Sequence, residues 1–162
     1  MNKRLIAEAY ANGPILDESV QRSWWLLAYE SLNMARRLQR IYQIEYTTDA
    51  EPYQTAEAMF RDLELGIFRV SIANCEHPLW TPGENIAFRI VHDILGHYAG
   101  GRNPFIWRGE LAAYAASLPH YTPECQTALF TEIVGQTAYR SIFGVFPPQK
   151  CIKLAPEYPY RV

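Results

Sequence analysis

The segment Ile86-Ala-Phe-Arg-Ile-Val-His92-Asp93-Ile-Leu-Gly96-His97 constrains this chain more than any other. It reads as a helix made apolar by Ile86, Ile90, Val91, Ile94 and Leu95, with a histidine on either side of a glycine at its end. Residues four apart share a helical face, whereas residues five apart are offset by roughly 140° on an ideal α-helix. His92 and His97 are therefore expected to converge only if the helix stops between them. Gly96 is placed to stop it as a left-handed C-terminal residue. One imidazole on the last turn and one on the succeeding turn could then bind neighbouring positions on a single metal ion.

A third ligand must come from elsewhere. Glu132 lies in Ala128-Leu-Phe-Thr-Glu132-Ile-Val-Gly-Gln136, an otherwise uncharged run. A lone carboxylate there is costly unless its charge is compensated, and a divalent cation would compensate it. Glu110, in Trp107-Arg-Gly-Glu110-Leu-Ala-Ala-Tyr, is a similar lone acid with Arg108 as its one close basic neighbour. Two imidazoles and a carboxylate with open positions suit non-haem Fe(II) and also catalytic zinc. The expected ligands are thus His92, His97 and Glu132, with Asp93 touching the ligand shell or a co-substrate, and Glu110 and Gln136 lining the same pocket. Gln136 follows Glu132 by one helical turn and shares its face. His77 and His120 read as surface or loop residues. Taken singly, each of these has a structural explanation: His92 as a core histidine on a backbone carbonyl, Glu132 as a partner of Arg140, Gly96 as a simple cap.

Periodicity supplies the frame. Val20, Trp24, Leu27, Leu32, Ala35, Leu38 and Ile41 recur at helical spacing between about residues 18 and 42, with Asp17 as N-cap. Ile44-Glu-Tyr46-Thr-Thr and Ile67-Phe-Arg-Val-Ser-Ile72 read as strands that pair, separated by a helix from Thr55 to Leu65 that Gly66 stops. Thr81-Pro82-Gly83-Glu84 is a capping box. Asn103-Pro104 is expected to open a helix to about Ser117, and Thr122-Pro123 one to about Phe143. The expected class is α+β, predominantly helical, with four to five helices and a small antiparallel two-stranded sheet. The 162 residues are expected to form a single domain: a helical N-terminal segment 1–42, a metal-site core over about 67–143 and an extended tail 144–162 carrying four prolines.

The histidine segment resembles the H-E-L-L-G-H segment of the aromatic amino acid hydroxylases, whose two histidines hold iron together with a later glutamate. His92-Asp93-Ile-Leu-Gly-His97 matches it at identical spacing. Phe68-Arg-Val, Thr81-Pro82, Asn103-Pro-Phe-Ile-Trp-Arg-Gly-Glu110 and Leu129-Phe-Thr-Glu132 look like further family segments, so the likeness spans about residues 67–140. It implies Fe(II) on His92, His97 and Glu132 and an O2-dependent hydroxylation. It does not extend to every family position. Glu76-His77 stands where the family has an arginine before a histidine, Asp93 replaces its glutamate, and Tyr98 follows the second histidine in place of proline. Pterin and an amino acid substrate are therefore weakly implied. The whole chain is also similar to uncharacterised bacterial and phage proteins that share the H-D-x-x-G-H and T-E-x-x-G-Q segments.

Rival chemistries are narrowed by the residues downstream of the motif and by its spacing. A His-Asp phosphohydrolase needs a downstream aspartate, and none occurs after Asp93. A zinc peptidase of the H-E-x-x-H kind needs histidines four apart. A zinc hydrolase on the same ligands stays open, with Glu110 or Asp93 as base and Arg89, Arg108 or Tyr114 as oxyanion donor. So does a non-catalytic binding or assembly module, given four tryptophans and eleven tyrosines. A net charge of -2 gives no electrostatic reason to expect nucleic acid; a small-molecule substrate is the expected partner. Three cysteines without C-x-x-C spacing favour a reducing cytoplasm, and the N-terminus lacks an apolar run long enough for a signal peptide.

Overall fold

The computed structural model describes residues 2–154. Among these residues, seven α-helical segments make six rods, because the last two segments are joined through a π turn. The chain opens with α1 (Lys3–Asn12), which the sequence reading did not resolve as a helix of its own. Asn2 caps it by accepting from the Leu5 amide, and Ile6, Ala7 and Tyr10 form its buried stripe. Next comes α2 (Gln21–Leu38), entered through a short turn where Asp17 accepts from Ser19. Its Trp24 and Leu27 are fully buried. Burying a large apolar side chain of this kind contributes roughly 1.5–3 kcal/mol.

Strand β1 (Gln43–Thr47) and strand β2 (Ile67–Ser71) pair in register Gln43 with Ile67 through Thr47 with Ser71. They are parallel, which corrects the expected antiparallel sheet. The reason lies between them: α3 (Ala56–Glu64) carries the chain back to the end at which β1 began, as a crossover must. Thr55 caps α3, and Gly66, at φ +79°, makes the left-handed exit that aligns β2 beside β1. The helix count is corrected too, from four or five to six rods, the overlooked one being α1.

The site-bearing half comes next. Thr81 and Glu84 complete the capping box of α4 (Pro82–Val91), whose axis continues without a break into a π-helical stretch, His92–Tyr98. Helix α5 (Trp107–Ser117) packs across that stretch. It starts three residues later than Pro104 suggests, and the Pro104 carbonyl folds over Gly109, where a Cβ would stand 1.9 Å from it. The final rod comprises α6 (Gln126–Phe130), a π turn (Thr131–Gly135) and α7 (Gln136–Phe143), ended by Gly144 in the left-handed conformation. Helix α2 lies along α4, and α1 along α7, around one contiguous apolar core.

Residues 145–154 are extended and locked down. Cys151 exchanges backbone hydrogen bonds with Ile15 and Asp17, and Cys151, Ile152 and Leu154 are buried. Lys150 turns its ammonium onto the end of α1, donating to the carbonyls of Tyr10, Ala11 and Gly13 at 3.0, 2.9 and 2.5 Å. Cation donors there satisfy the carbonyls that a helix terminus leaves unpaired. Residues 155–162 of the expected tail lie outside the described residues. No helix among the described residues is long and apolar enough to cross a membrane.

Candidate metal centre

His92 and His97 do converge, but by a route different from the expected one. The helix does not stop at Gly96; it widens. Across His92–Tyr98 the backbone adopts π geometry, ending in an Ala99 amide bonded to the Ile94 carbonyl at 2.8 Å. Bonds that run over five residues set residues five apart above one another, as an α turn does for residues four apart. The two Nε2 atoms stand 3.1 Å apart. Gly96 is not left-handed. It is glycine for closeness: a Cβ there would meet Ser117 Oγ at 3.0 Å and the Ala113 carbonyl at 3.1 Å on α5. That proximity brings Glu110, on the same helix, to the histidines.

Glu110 Oε2 lies 3.4 Å from His92 Nε2 and 3.4 Å from His97 Nε2. Among the described residues these three side chains are the one group whose potential donor atoms all fall within 4.8 Å of one another. Ligands bonded at about 2.0–2.2 Å to one metal, at angles between octahedral and tetrahedral, stand about 2.8–3.6 Å apart. The triangle of 3.1, 3.4 and 3.4 Å edges therefore fits a single ion. All three residues are on the wall of one open cleft of about 1440 Å³, which leaves the outer face of that triangle accessible.

The surroundings prepare the donors. His97 Nδ1 donates to the Asn103 carbonyl at 2.8 Å, which fixes the tautomer that turns the Nε2 lone pair toward the cleft. Asn103 is held in turn by its own amide, which donates to the carbonyls of Gly96 and Gly100 at 2.9 and 3.2 Å. Phe105 sits edge-on to His97 at 5.0 Å, and Phe88 stacks on His92 at 6.0 Å. Burial alone would raise the Glu110 carboxyl, but hydrogen bonds and charge from His92 and His97 hold it down at about 2. His97 is lowered by burial and raised, on balance, by Glu110, Asp93 and the Asn103 carbonyl. Asp93 lines the same cleft without a hydrogen-bond partner among the described residues. Desolvation raises its carboxyl, against the charges of His92 and His97 and reinforced by Glu110.

Glu132 and Gln136 also line the cleft but stand outside the three-residue group. Glu132 Oε1 accepts from Trp24 Nε1 at 2.8 Å and from His77 Nε2 at 3.3 Å, and Oε2 accepts from Gln136 Nε2 at 2.6 Å. The suggested partner Arg140 instead pairs with Glu51 at 2.8 Å. The structure thus puts Glu110, expected as a pocket residue, beside the two imidazoles, and puts Glu132, expected as a ligand, in a neighbouring hydrogen-bond cluster. His77 does lie in a loop, but its side chain is inaccessible to solvent, which corrects its reading as a surface residue; His120 is exposed. Arg89 is committed to the chain itself, bonding Asn85 and the carbonyls of Ser71, Ala73 and Asn74.

Three participants escaped the sequence reading: His77, Trp24 and Asn103. Trp24 carries only the signal of a core residue at helical spacing, and Asn103 that of a helix cap before Pro104. Comparison of the chain with protein-family models, with curated proteins and with solved structures finds no match.

Proposed function

We propose that the cleft is a mononuclear metal centre held by His92, His97 and Glu110, and that the protein is a non-haem Fe(II) oxygenase acting on a small molecule. The observation that carries the reading is the triangle of three donors facing an open cleft, two neutral imidazole nitrogens and one carboxylate oxygen. That donor set, with positions left open, suits ferrous oxygen chemistry. When bound, Fe(II) would supply O2 activation beside an organic substrate. The residues supply the rest. Asn103 orients His97, Glu110 provides the anionic charge that keeps a divalent ion bound, and Phe88 and Phe105 pack against the rings of His92 and His97. Asp93, desolvated and unpaired in the same wall, can hold or accept a proton close to both rings.

That last feature also favours a second reading, a zinc hydrolase on the same ligands with Asp93 as general base. The two separate on one experiment. Protein reconstituted anaerobically with one equivalent of Fe(II), then exposed to air with ascorbate, is expected to consume O2 faster than its Glu110→Gln variant under the same conditions. Equal uptake by both, together with tighter retention of zinc than iron and hydrolysis of activated esters by the zinc form, would replace the oxygenase with the hydrolase.

A further inference from the structure

The hydrogen-bond cluster around Glu132 holds a carboxylate that no lysine or arginine among the described residues neutralises. Glu132 is only 7% exposed, yet it forms part of the cleft wall. Among the described residues no lysine or arginine nitrogen comes within 4.0 Å of it. His77 does not supply a positive charge either. Its Nδ1 accepts from the amides of Leu79 and Trp80 at 3.1 and 3.0 Å, so its proton sits on Nε2, which donates to Glu132. Trp24, His77 and Gln136 are thus three neutral donors around a full negative charge. The same tautomer prevents His77 from offering a lone pair to a metal beside Glu132.

A carboxylate oxygen can accept two hydrogen bonds, and Oε2 accepts one, from Gln136. The same Gln136 nitrogen also reaches Gln149 Oε1 at 2.9 Å, so one NH2 group spans two oxygens on the cleft wall. The spacing suits a compact nitrogen donor. The other cations of the wall are spent: Arg69 on Glu45 and Asp62, Arg140 on Glu51, and Arg89 on backbone carbonyls.

We infer that Glu132 Oε2 and Gln149 Oε1 form a subsite for a primary ammonium group of the substrate, and that the amide of Gln136 occupies it until the substrate arrives. A primary ammonium has three N–H donors and a positive charge, so it meets both oxygens and neutralises Glu132, which the neutral amide cannot do. Gln136 is partly exposed and can swing aside. As a statement about substrate class this rests on the proposed metal chemistry in the same cleft, but its binding does not depend on a metal.

The test uses the full-length, metal-free chain labelled with 15N, with the Trp24 indole N–H resonance as reporter because that group donates to Glu132. Its assignment comes from its absence in Trp24→Phe. Ethylammonium is expected to shift it saturably, whereas ethanol and acetate are not. Gln136→Ala, which removes the competing amide, is expected to tighten ethylammonium binding by about tenfold, the order expected of one hydrogen bond to a charged group. Glu132→Gln is expected to abolish binding; if that variant does not fold, Gln136→Ala and the neutral probe decide alone. No saturable shift with ethylammonium, an equal response to ethanol, or weaker binding by Gln136→Ala would each overturn the subsite. Zinc titration in the same samples, followed on the His92 and His97 ring signals, tests the metal reading separately: amine binding without zinc binding removes only that reading, and zinc binding without amine binding removes only the subsite.

Discussion

Glu110→Gln removes a negative charge while keeping the size of the side chain, and the structure sets the scale of the loss. The two imidazoles hold the Glu110 carboxyl at about 2, against an ordinary value of 4.5. At about 1.4 kcal/mol per pKa unit, the site prefers the anion over the neutral acid by about 3 kcal/mol when the rings are protonated. Glu110 is largely buried, with 16% of its side chain exposed, so solvent screening removes little of this. A divalent ion held by the same two nitrogens brings at least as much positive charge. Replacing the carboxylate with an amide is therefore expected to weaken metal binding at least about a hundredfold. Competition against a chromophoric chelator at neutral pH measures it, with zinc in air and Fe(II) under nitrogen. Glu132→Gln, which leaves the triangle intact, is expected to cost less than about tenfold. If Glu110→Gln binds metal within threefold of the wild type, or if Glu132→Gln is the variant that loses it, the assignment of the third ligand is wrong.

The same geometry sets other expectations. In the presence of EDTA, the depressed Glu110 carboxyl contributes stability above its ordinary pKa that is lost as pH falls toward about 2, whereas the raised His97 contributes stability at low pH that is lost as pH rises through its folded value. Urea unfolding should therefore show the metal-free protein gaining most from this pair between about pH 4.5 and 6.5, and Glu110→Gln should flatten both limbs. Gly100→Ala would put a Cβ 2.3 Å from the Gly96 carbonyl and 2.5 Å from Ala116 Cβ, costing about 1–3 kcal/mol in urea unfolding and weakening metal binding. Gly83→Ala meets nothing within 4 Å and should stabilise by roughly 0.4–1 kcal/mol through the unfolded chain. Asn103→Ala frees the loop that holds His97 and should lower metal affinity about 10–100-fold, with the 15N shifts of the His97 ring reporting a mixed tautomer in the metal-free protein.

Local signals carried much of the fold. Thr55, Gly66 and the Thr81–Glu84 capping box mark element ends because each satisfies or terminates a helix through its own chemistry. The strand pair was also legible, but not its direction, which depends on where α3 returns the chain. The helix between the strands was itself visible, so the parallel arrangement was within reach of the crossover rule. Convergence of His92 and His97 was foreseen and its cause was not. Gly96 signals a cap as readily as it signals close packing, and only the contact with Ala113 and Ser117 separates the two. The partition of the acids was illegible for a different reason. Glu110 and Glu132 are both lone carboxylates in apolar helices, and which of them meets the imidazoles depends on the crossing of α5 over the π stretch. The environment of Glu132 comes from α2 and from the loop of His77, both remote in sequence.

Whether His92, His97 and Glu110 together hold one metal ion is decided by elemental analysis of protein purified without added metal, beside a His92→Ala/His97→Ala variant prepared identically. Close to one equivalent of iron or zinc per chain is expected in the wild type, and almost none in the variant. Equal, substoichiometric metal in both would show that the three side chains bind no ion.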